Sequence, residues 1–413
     1  MTLRDLALQV VQTLRQAGFE ALWAGGCVRD QLLGIEPHDY DVATNARPVQ
    51  VQKLFRRTLA VGAQFGVIEV LGDQGLHVQV ATFRSDGEYH DGRHPDSVQF
   101  GTAEADAERR DFTINGLFFD PIRDAVIDYV DGQADLKARR LRAIGQPWLR
   151  FQEDKLRLMR GVRFVARFEL SIDPMTQKAM KELAPQIVQV SQERITDELK
   201  KMLALPRRTE AMRWLHKLNL IRPVFGRWSG SLANHSAWPL VSALPAKCPF
   251  APALTAVLLE LNGPEWAQHL HRDELHELAH FLRLSNDLRD ELGWLLHHLP
   301  WVRHLHLSKP SEWKPLLAHA WAHDLLILAE AWLNRLGEPL DALHFCRDRL
   351  QHCSHDDLNP KPLLTGDDLR RLGHKPGPHF KTILEAVRAQ QLNGQLHSTV
   401  DAIQWLNEWK SGN

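Results

Sequence analysis

The spacing of apolar residues changes near residue 145, and this change limits the fold more than any other feature of the chain. Before it, short apolar runs typical of strands alternate with stretches of helical spacing. After it, nearly all the apolar spacing is helical. We therefore predict an α+β protein, with a mixed sheet in the N-terminal part and helices in the rest. The predicted strands are residues 20–24, 67–71, 76–81 and 125–129, and the predicted helices include 2–17, 49–56 and the segment after Asp111.

Charge and composition exclude several classes of protein. The 413 residues carry 50 basic and 51 acidic side chains, so a uniformly basic nucleic-acid coat is excluded. No run of 18 apolar residues occurs and the N-terminal pattern is charged and amphipathic, so we expect neither a membrane span nor a signal peptide. The four scattered cysteines form no CxxC pair, which argues against a zinc knuckle and a disulfide framework and favours a cytoplasmic location.

Positive charge is concentrated between Lys137 and Arg167, where ten basic residues stand against two acidic ones. Two interpretations stay open from the sequence. The bases form a cationic face packed on acidic neighbours, or they bind the phosphates of a nucleotide or an RNA.

The first motif with chemical content is Gly25-Gly26-Cys27-Val28-Arg29-Asp30, which follows a predicted strand and opens a helix. The two glycines let a ligand approach the backbone closely, and the helix N-terminus and Arg29 suit a phosphate. A Gly-Gly pair by itself is often only a turn.

Two carboxylates follow in Asp39-Tyr40-Asp41. In a strand, residues two apart point to the same face, and two carboxylates placed in this way suit Mg²⁺, which prefers oxygen ligands and substrate phosphates. Such metals align a nucleophile and neutralise a leaving pyrophosphate. Exposed loops contain many such pairs, so the position shortly after the glycine motif gives this one its weight.

The third motif is Arg109-Arg110-Asp111-Phe112-Thr113-Ile114-Asn115. Asp111 is predicted to cap the N-terminus of a helix that it starts. The paired arginines are predicted to hold a triphosphate and a ribose, and the two roles are compatible.

The fourth motif is Glu153-Asp154-Lys155-Leu156-Arg157, in which Asp154 and Arg157 are expected on one helix face. One interpretation is an ion pair within the helix. The other is a device that reads a base edge, because cytosine and adenine both present an amino donor beside a ring acceptor, which an Asp acceptor and an Arg donor match. Uracil and guanine present the opposite order and would leave buried groups unpaired.

In this order the four motifs resemble the class II tRNA nucleotidyltransferases, the CCA-adding enzymes, and their bacterial poly(A) polymerase relatives. The resemblance covers nearly the whole chain. It also rests on Val42-Ala43-Thr44, Thr82-Phe83-Arg84, Arg160-Gly161-Val162-Arg163-Phe164, Leu364-Thr365-Gly366-Asp367-Asp368-Leu369 and Pro376-Gly377-Pro378.

The resemblance implies four parts. These are a polymerase-beta-like nucleotidyltransferase head at residues 1–145, a base-reading and RNA-binding neck at 146–205, a helical body at 206–340 and a tRNA-binding tail at 341–413. The body is similar to a decayed HD domain and carries no hydrolase motif.

The resemblance also implies a mechanism. Asp39 and Asp41 would bind two Mg²⁺, CTP and ATP would be the substrates, and the tRNA 3′ end and its acceptor and elbow regions would be the partner, with no obligate protein partner. Asp154 and Arg157 would read the base, supported by Arg160 and Arg163. The other implied nucleotide-binding residues are Gly25, Gly26, Arg29, Arg110, Asp111 and Asn115, and Arg370, Arg371, Lys375 and Lys381 are candidates for contact with the tRNA elbow.

Two segments favour full CCA addition within this family. Residues 61–66 lack the two basic residues that the poly(A) polymerases carry there, and the loop at 84–96 is present, whereas enzymes that add only CC lack it. Addition of A alone stays open. Gln79 stands where the family usually has an acid, which leaves open a weaker catalyst or a non-catalytic RNA-binding relative.

Overall fold

The computed structural model describes residues 1–62, 66–86, 98–230 and 237–411. These residues form two compact units, Met1–Ser229 and Gly230–Asn413. The first unit contains the sheet and the second is helical. The finer division at residues 145, 205 and 340 stays a prediction.

A mixed sheet forms the centre of the first unit. In chain order the strands are β1 (Ala21–Ala24), β2 (Asp41–Thr44), β3 (Thr58–Gly62), β4 (Val67–Leu71), β5 (His77–Thr82), β6 (Arg84–Asp86), β7 (Val98–Phe100), β8 (Leu117–Asp120), β9 (Ala125–Asp128), β10 (Arg140–Leu141) and β11 (Ser171–Ile172). Seven of them form one sheet in the order β3-β4-β5-β2-β1-β8-β9, in which β2 and β5 are parallel and the other neighbours antiparallel. The predicted mixed sheet is confirmed, and the four predicted strands agree with it to within one residue at each end.

Helices cover this sheet and continue beyond it. In the first unit they are α1 (Leu3–Gln16), α2 (Gly26–Leu32), α3 (Pro48–Leu54), α4 (Ala103–Glu108), α5 (Gly132–Lys137), α6 (Pro147–Glu153), α7 (Leu156–Phe168), α8 (Pro174–Leu183), α9 (Gln192–Leu203), α10 (Arg208–Lys217) and α11 (Ile221–Phe225). Thr2 and Asp5 form a capping box that starts α1, each side chain accepting a hydrogen bond from the other's backbone N–H. The apolar face of α1 packs on the sheet.

The middle of the sheet is held by aromatic packing. Trp23 in β1 is buried, with its ring stacked on Phe119 at 5.6 Å and edge-on to Tyr40 at 4.9 Å. Ala24, the last residue of β1, pairs with Asp41, the first residue of β2. The loop after β1 and the start of β2 therefore lie side by side.

The second unit consists of helices in its described part. They are α12 (Pro239–Ala243), α13 (Phe250–Asn262), α14 (Trp266–His269), α15 (Arg272–Phe281), α16 (Asn286–His298), α17 (Pro310–Leu317), α18 (Ala322–Leu336), α19 (Asp341–His352), α20 (His355–Leu358), α21 (Gly366–Arg371), α22 (His379–Leu392) and α23 (Thr399–Ser411). A small apolar cluster that includes Leu369, Val387 and Leu406 joins the last three helices. Across the described residues, no helix has the length and apolar character of a membrane-spanning segment.

Candidate active site

A cavity of about 600 Å³ in the first unit collects the residues of all four motifs. Among the described residues that line it, eight arginines stand against five aspartates, so the cavity is suited to a polyanion. The lining residues are Gly25, Gly26, Arg29, Asp30, His38, Asp39, Asp41, Arg109, Arg110, Asp111, Asn115, Asp154, Leu156, Arg157, Arg160, Arg163, Phe164, Arg167 and Arg194. Every residue predicted to bind nucleotide or metal is in this set.

The glycine motif forms the turn that was predicted. Gly25 has a φ of +68°, which disfavours any residue with a side chain, and α2 begins at the next residue. A Cβ atom at Gly25 would lie 2.7 Å from Nη1 of Arg110. The glycine therefore leaves the space in which Arg110 reaches the cavity.

The two carboxylates of the second motif both line the cavity, although Asp39 lies before the strand and not within it. Asp39 is exposed, whereas Asp41 is partly buried at the start of β2. Burial raises the pKa of the Asp41 carboxyl to about 6, with a further contribution from Asp39, while Arg110 acts in the opposite direction. This pair of oxygen ligands fits Mg²⁺ in its chemistry.

Gln79 lies next to this pair. It faces Asp41 in the parallel register of β2 and β5, and residues in register point to the same side of a sheet. Within the described part of the chain no cluster of three or more His, Cys, Asp or Glu side chains is arranged to hold a metal. Asp39 and Asp41 are the residues that would hold Mg²⁺, whose other ligands in proteins are commonly substrate phosphates and water.

Arg29 is more enclosed than the sequence suggested, with 5% of its surface exposed. Its Nε and Nη2 donate to Asp30 at 2.8 and 2.6 Å, and its Nη1 donates to the side chain of Asn115. The guanidinium also stacks over Phe168 of α7 at 4.5 Å. Arg29 therefore joins the glycine turn to α7, while it still lines the cavity.

The prediction of a helix after Asp111 is wrong. Residues Thr113–Asn115 form a single 3-10 turn that leads directly into β8, because the following apolar residues pair with β1 and β9 in the sheet. Asp111 does not cap a helix. It accepts from the Asn115 amide at 2.9 Å and from Arg160 at 2.7 Å. Burial would raise the pKa of Asp111, but the Arg160 guanidinium and the hydrogen bond that Asp111 accepts from Asn115 hold this pKa well below its usual value.

The expectation that Asp154 and Arg157 share a helix face is also wrong. Asp154 has an extended backbone, with a φ of −145°, and separates α6 from α7. The two residues do not form an ion pair with each other: Asp154 accepts from Arg194 at 2.8 Å, and Arg157 donates to Glu153 at 2.5 Å. Both side chains line the cavity, so the interruption between helices presents an acceptor and a donor together.

Packing on acidic partners holds for part of the basic stretch, and its binding of phosphates stays a prediction. Arg160, Arg163 and Arg167 of α7 line the cavity, and each also pairs with an acid from a distant element. These pairs are Arg160 with Asp111 at 2.7 Å, Arg163 with Glu198 at 2.6 Å and Arg167 with Asp30 at 3.1 Å. Their acidic partners hold the arginines in place around the cavity.

Sequence reasoning missed Asp106 and Arg194, which contact the predicted residues directly. For Asp106 a signal was present, since it precedes Arg109 and Arg110 by three and four residues. Arg194 lies 40 residues from Asp154, and no local pattern connects them.

The four predicted RNA-contacting residues of the second unit are all exposed. Three of them have an acid nearby in the same helix: Arg370 with Asp367 at 3.3 Å, Arg371 with Asp368 at 3.4 Å, and Lys381 with Glu385 at 3.8 Å. Lys375 lies between α21 and α22. Their contact with RNA stays a prediction. The two segments that favoured full CCA addition are described only in part, since residues 63–65 and 87–97 lie outside the described ranges.

Two protein-family models match the first unit. The model for the "Poly A polymerase head domain" matches residues 21–142. The model for a "Probable RNA and SrmB- binding site of polymerase A" matches residues 169–228.

Whole-chain comparisons extend this match. The chain is 32% identical over 416 residues to the CCA-adding enzyme of Levilactobacillus brevis, covering 97% of this chain and 96% of that protein. It is 38% identical to poly(A) polymerase I of Haemophilus influenzae, but over 232 residues, which are 53% of this chain and 51% of that protein. The crystal structure of the Bacillus stearothermophilus CCA-adding enzyme in complex with CTP matches with a TM-score of 0.81 at 28% identity, over 100% of this chain and 98% of that chain. The resemblance seen in the four motifs is thus confirmed along the whole chain, and the chain belongs to the family of the CCA-adding enzymes.

Proposed function

We propose that the protein is a template-independent tRNA nucleotidyltransferase that adds C, C and A to the tRNA 3′ end from CTP and ATP. The observation that carries this proposal is the single cavity in which two carboxylates, an arginine-rich wall and the Asp154–Arg157 pair converge. A match that spans the whole length of a CCA-adding enzyme, against half the length of a poly(A) polymerase, supports tRNA repair over polyadenylation.

The phosphates and sugar of the incoming nucleotide would lie against the arginines. Arg110 stands beside the Gly25 turn, Arg109 lines the same cavity, and the N-terminus of α2 adds backbone N–H groups. Asp39 and Asp41 would hold Mg²⁺, which when bound supplies charge neutralisation at the α-phosphate and the leaving pyrophosphate. The 3′-hydroxyl oxygen of the tRNA would attack the α-phosphorus at the carboxylate side of the cavity.

Asp154 and Arg157 would select the base without a nucleic-acid template. Asp154 is held by Arg194 and by the backbone N–H of Leu156, and Arg157 by Glu153 and by the carbonyl oxygens of Arg150 and Arg109. A fixed acceptor beside a fixed donor suits the amino group and ring nitrogen that cytosine and adenine share. The same pair opposes uracil and guanine, whose buried groups would stay unpaired.

The tRNA would extend from this cavity, and exposed basic side chains of the second unit would contact its elbow. Arg370, Arg371, Lys375 and Lys381 are the candidates for that contact. Such contacts to the phosphate backbone position a nucleic acid and carry no sequence information.

The experiment is end extension with Mg²⁺. The purified protein receives tRNAs that end at the discriminator base, at C and at CC, each with CTP, ATP, UTP or GTP, or with CTP and ATP together. Completion of CCA on all three, with UTP and GTP ignored, is the expected result. Addition of A to the CC end alone would assign an A-adding enzyme, and long A tails on unrelated RNAs would assign a poly(A) polymerase. Tight tRNA binding with no extension would overturn the proposal and direct attention to Gln79.

A further inference from the structure

The carboxylate of Asp106 binds two consecutive arginines at once. Its Oδ1 accepts from Nε and Nη2 of Arg109 at 2.9 and 2.6 Å, and its Oδ2 accepts from Nε and Nη2 of Arg110 at 3.2 and 2.8 Å. Each guanidinium therefore uses the same edge, and each oxygen of the carboxylate serves one arginine. Asp106 itself is 1% exposed and does not line the cavity.

This arrangement keeps a buried carboxylate ionised. Burial would raise the pKa of Asp106, but Arg110 and Arg109 more than offset this effect and hold the pKa below its usual value. Two guanidiniums on adjacent residues repel each other and have many rotamers. One shared anion between them removes both obstacles to a fixed geometry, and the group of three keeps one net positive charge.

The two arginines are also fixed on their other sides. Nη1 of Arg110 donates to the carbonyl oxygen of Asn115 at 3.2 Å, and the guanidinium lies 5.0 Å over the ring of Phe118. Nε of Arg109 also donates to the carbonyl oxygen of Arg84 at 3.1 Å, while the Arg84 N–H approaches Oδ1 of Asp106 at 3.4 Å. The contacts of Asp106 thus connect the arginine pair to the backbone at the start of β6.

We propose that Asp106 is a positioning residue for nucleotide binding, which fixes Arg109 and Arg110 so that they meet the triphosphate and ribose in one geometry. The proposal rests on the proposed function, because the two arginines receive their ligand from it. Since phosphates and ribose are common to all ribonucleotides, Asp106 acts on CTP and ATP alike. It has no part in the choice of base, which the proposed function assigns to Asp154 and Arg157.

The test is the Asp106→Asn variant, which keeps the size of the side chain and removes its charge. The expected result is a rise in KM of about tenfold for both CTP and ATP, with a smaller change in kcat and an unchanged ratio of CTP to UTP use. Glu104→Gln is the matched control, because it removes one negative charge from an exposed position on the same helix, and its KM values should equal those of the wild type. Equal KM values for the two variants would overturn the proposal.

Combining Asp106→Asn with substitutions of the two arginines distinguishes the positioning role of Asp106 from a merely structural one. In an Arg109→Ala, Arg110→Ala background, Asp106→Asn should raise KM by less than twofold further, because its effect passes through the two arginines. A persisting tenfold effect there would contradict the proposal.

If circular dichroism shows that Asp106→Asn does not fold, Arg109→Lys and Arg110→Lys take its place, since lysine keeps the charge and loses the two-donor contact. These variants should reproduce the rise in KM, and unchanged KM values would overturn the proposal. A wild-type protein that binds CTP and ATP but extends no tRNA would contradict the proposed function, and the same variants would then be compared by their Kd for CTP and ATP.

Discussion

Three arginines of α7 that line the cavity and the arginines of α21 differ in where their acidic partners lie. Arg160, Arg163 and Arg167 pair with acids that other elements bring to them, and all three acids are almost fully buried at their side chains. Arg370 and Arg371 pair with acids three residues earlier in the same helix, and their own side chains are 63% and 80% exposed.

This difference separates two ways of using positive charge. A guanidinium held by a partner from another element keeps one position, because moving it would leave a buried carboxylate unpaired. An exposed pair within one helix contributes little energy, is screened by salt and rearranges readily. The first arrangement suits the recognition of one ligand shape, and the second suits phosphates spread along a nucleic-acid backbone.

The largest effect should come from Asp39 and Asp41, whose carboxylates line the same cavity as the arginines. Asp41→Asn removes the charge of a proposed metal ligand, so we expect the extension rate at saturating ATP to fall by about 1,000-fold or more. The measurement is single-nucleotide extension of a tRNA ending in CC. Asp73→Asn is the matched control, because it neutralises an aspartate whose side chain is 85% exposed in the same unit. Activity of Asp41→Asn within tenfold of the control would place catalysis elsewhere.

A smaller effect with a distinct signature is expected from Asp154→Ala. Loss of a charged acceptor costs about 1.5–3 kcal/mol, so kcat/KM for CTP and ATP should fall by roughly 10- to 100-fold. Use of UTP should change much less, because uracil gains nothing from this acceptor. The ratio of kcat/KM for CTP to that for UTP is the readout, and Asp197→Ala, at an exposed position of α9, is the control. A ratio that stays constant while overall activity falls would show that Asp154 only supports the fold.

The sequence predicted the cavity residues better than it predicted the contacts between them. Strands, the glycine turn and the motif order follow from local patterns, which report backbone conformation within a few residues. Asp154 and Arg157 were expected side by side because a continuous helix was assumed, but the extended backbone at Asp154 interrupts it and gives each residue another partner.

Long-range partners account for the remaining differences. Asp111 was interpreted as a helix cap from its neighbours in the sequence, whereas its partner Arg160 lies 49 residues away. The role of Arg194 depends likewise on the packing of α9 beside α7. Spacing in one sequence does not contain such pairs, because they are formed by tertiary packing.

The comparison between buried and exposed pairs is sharpened by pH. The pKa of Asp111 lies well below its usual value near 3.9, so the carboxylate stabilises the fold above that pH, and this contribution is lost as pH falls below about 5. At pH 7, Asp111→Asn should lower the free energy of unfolding by about 2 kcal/mol, and the difference from wild type should shrink toward pH 3. Chemical denaturation followed by tryptophan fluorescence measures both.

Asp367→Asn is the matched variant on the other side of this comparison. It removes the exposed partner of Arg370, so the free energy of unfolding should change by no more than about 0.5 kcal/mol at either pH. Equal destabilisation by the two variants would contradict the distinction drawn between the two kinds of arginine.

The smallest effect should come from the exposed lysine and arginine side chains of the second unit. Changing Arg370, Arg371, Lys375 and Lys381 together to alanine should weaken tRNA binding by about tenfold and flatten its salt dependence, because fewer counterions are released. The KM for CTP with a tRNA at saturation should stay unchanged, since none of these residues lines the cavity. The control removes four exposed bases near α3, Arg47, Lys53, Arg56 and Arg57, and should bind tRNA as the wild type does. If both variants weaken tRNA binding equally, any loss of positive surface charge has the same effect and these four residues have no special role. A changed KM for CTP would place the four residues among those that bind nucleotide.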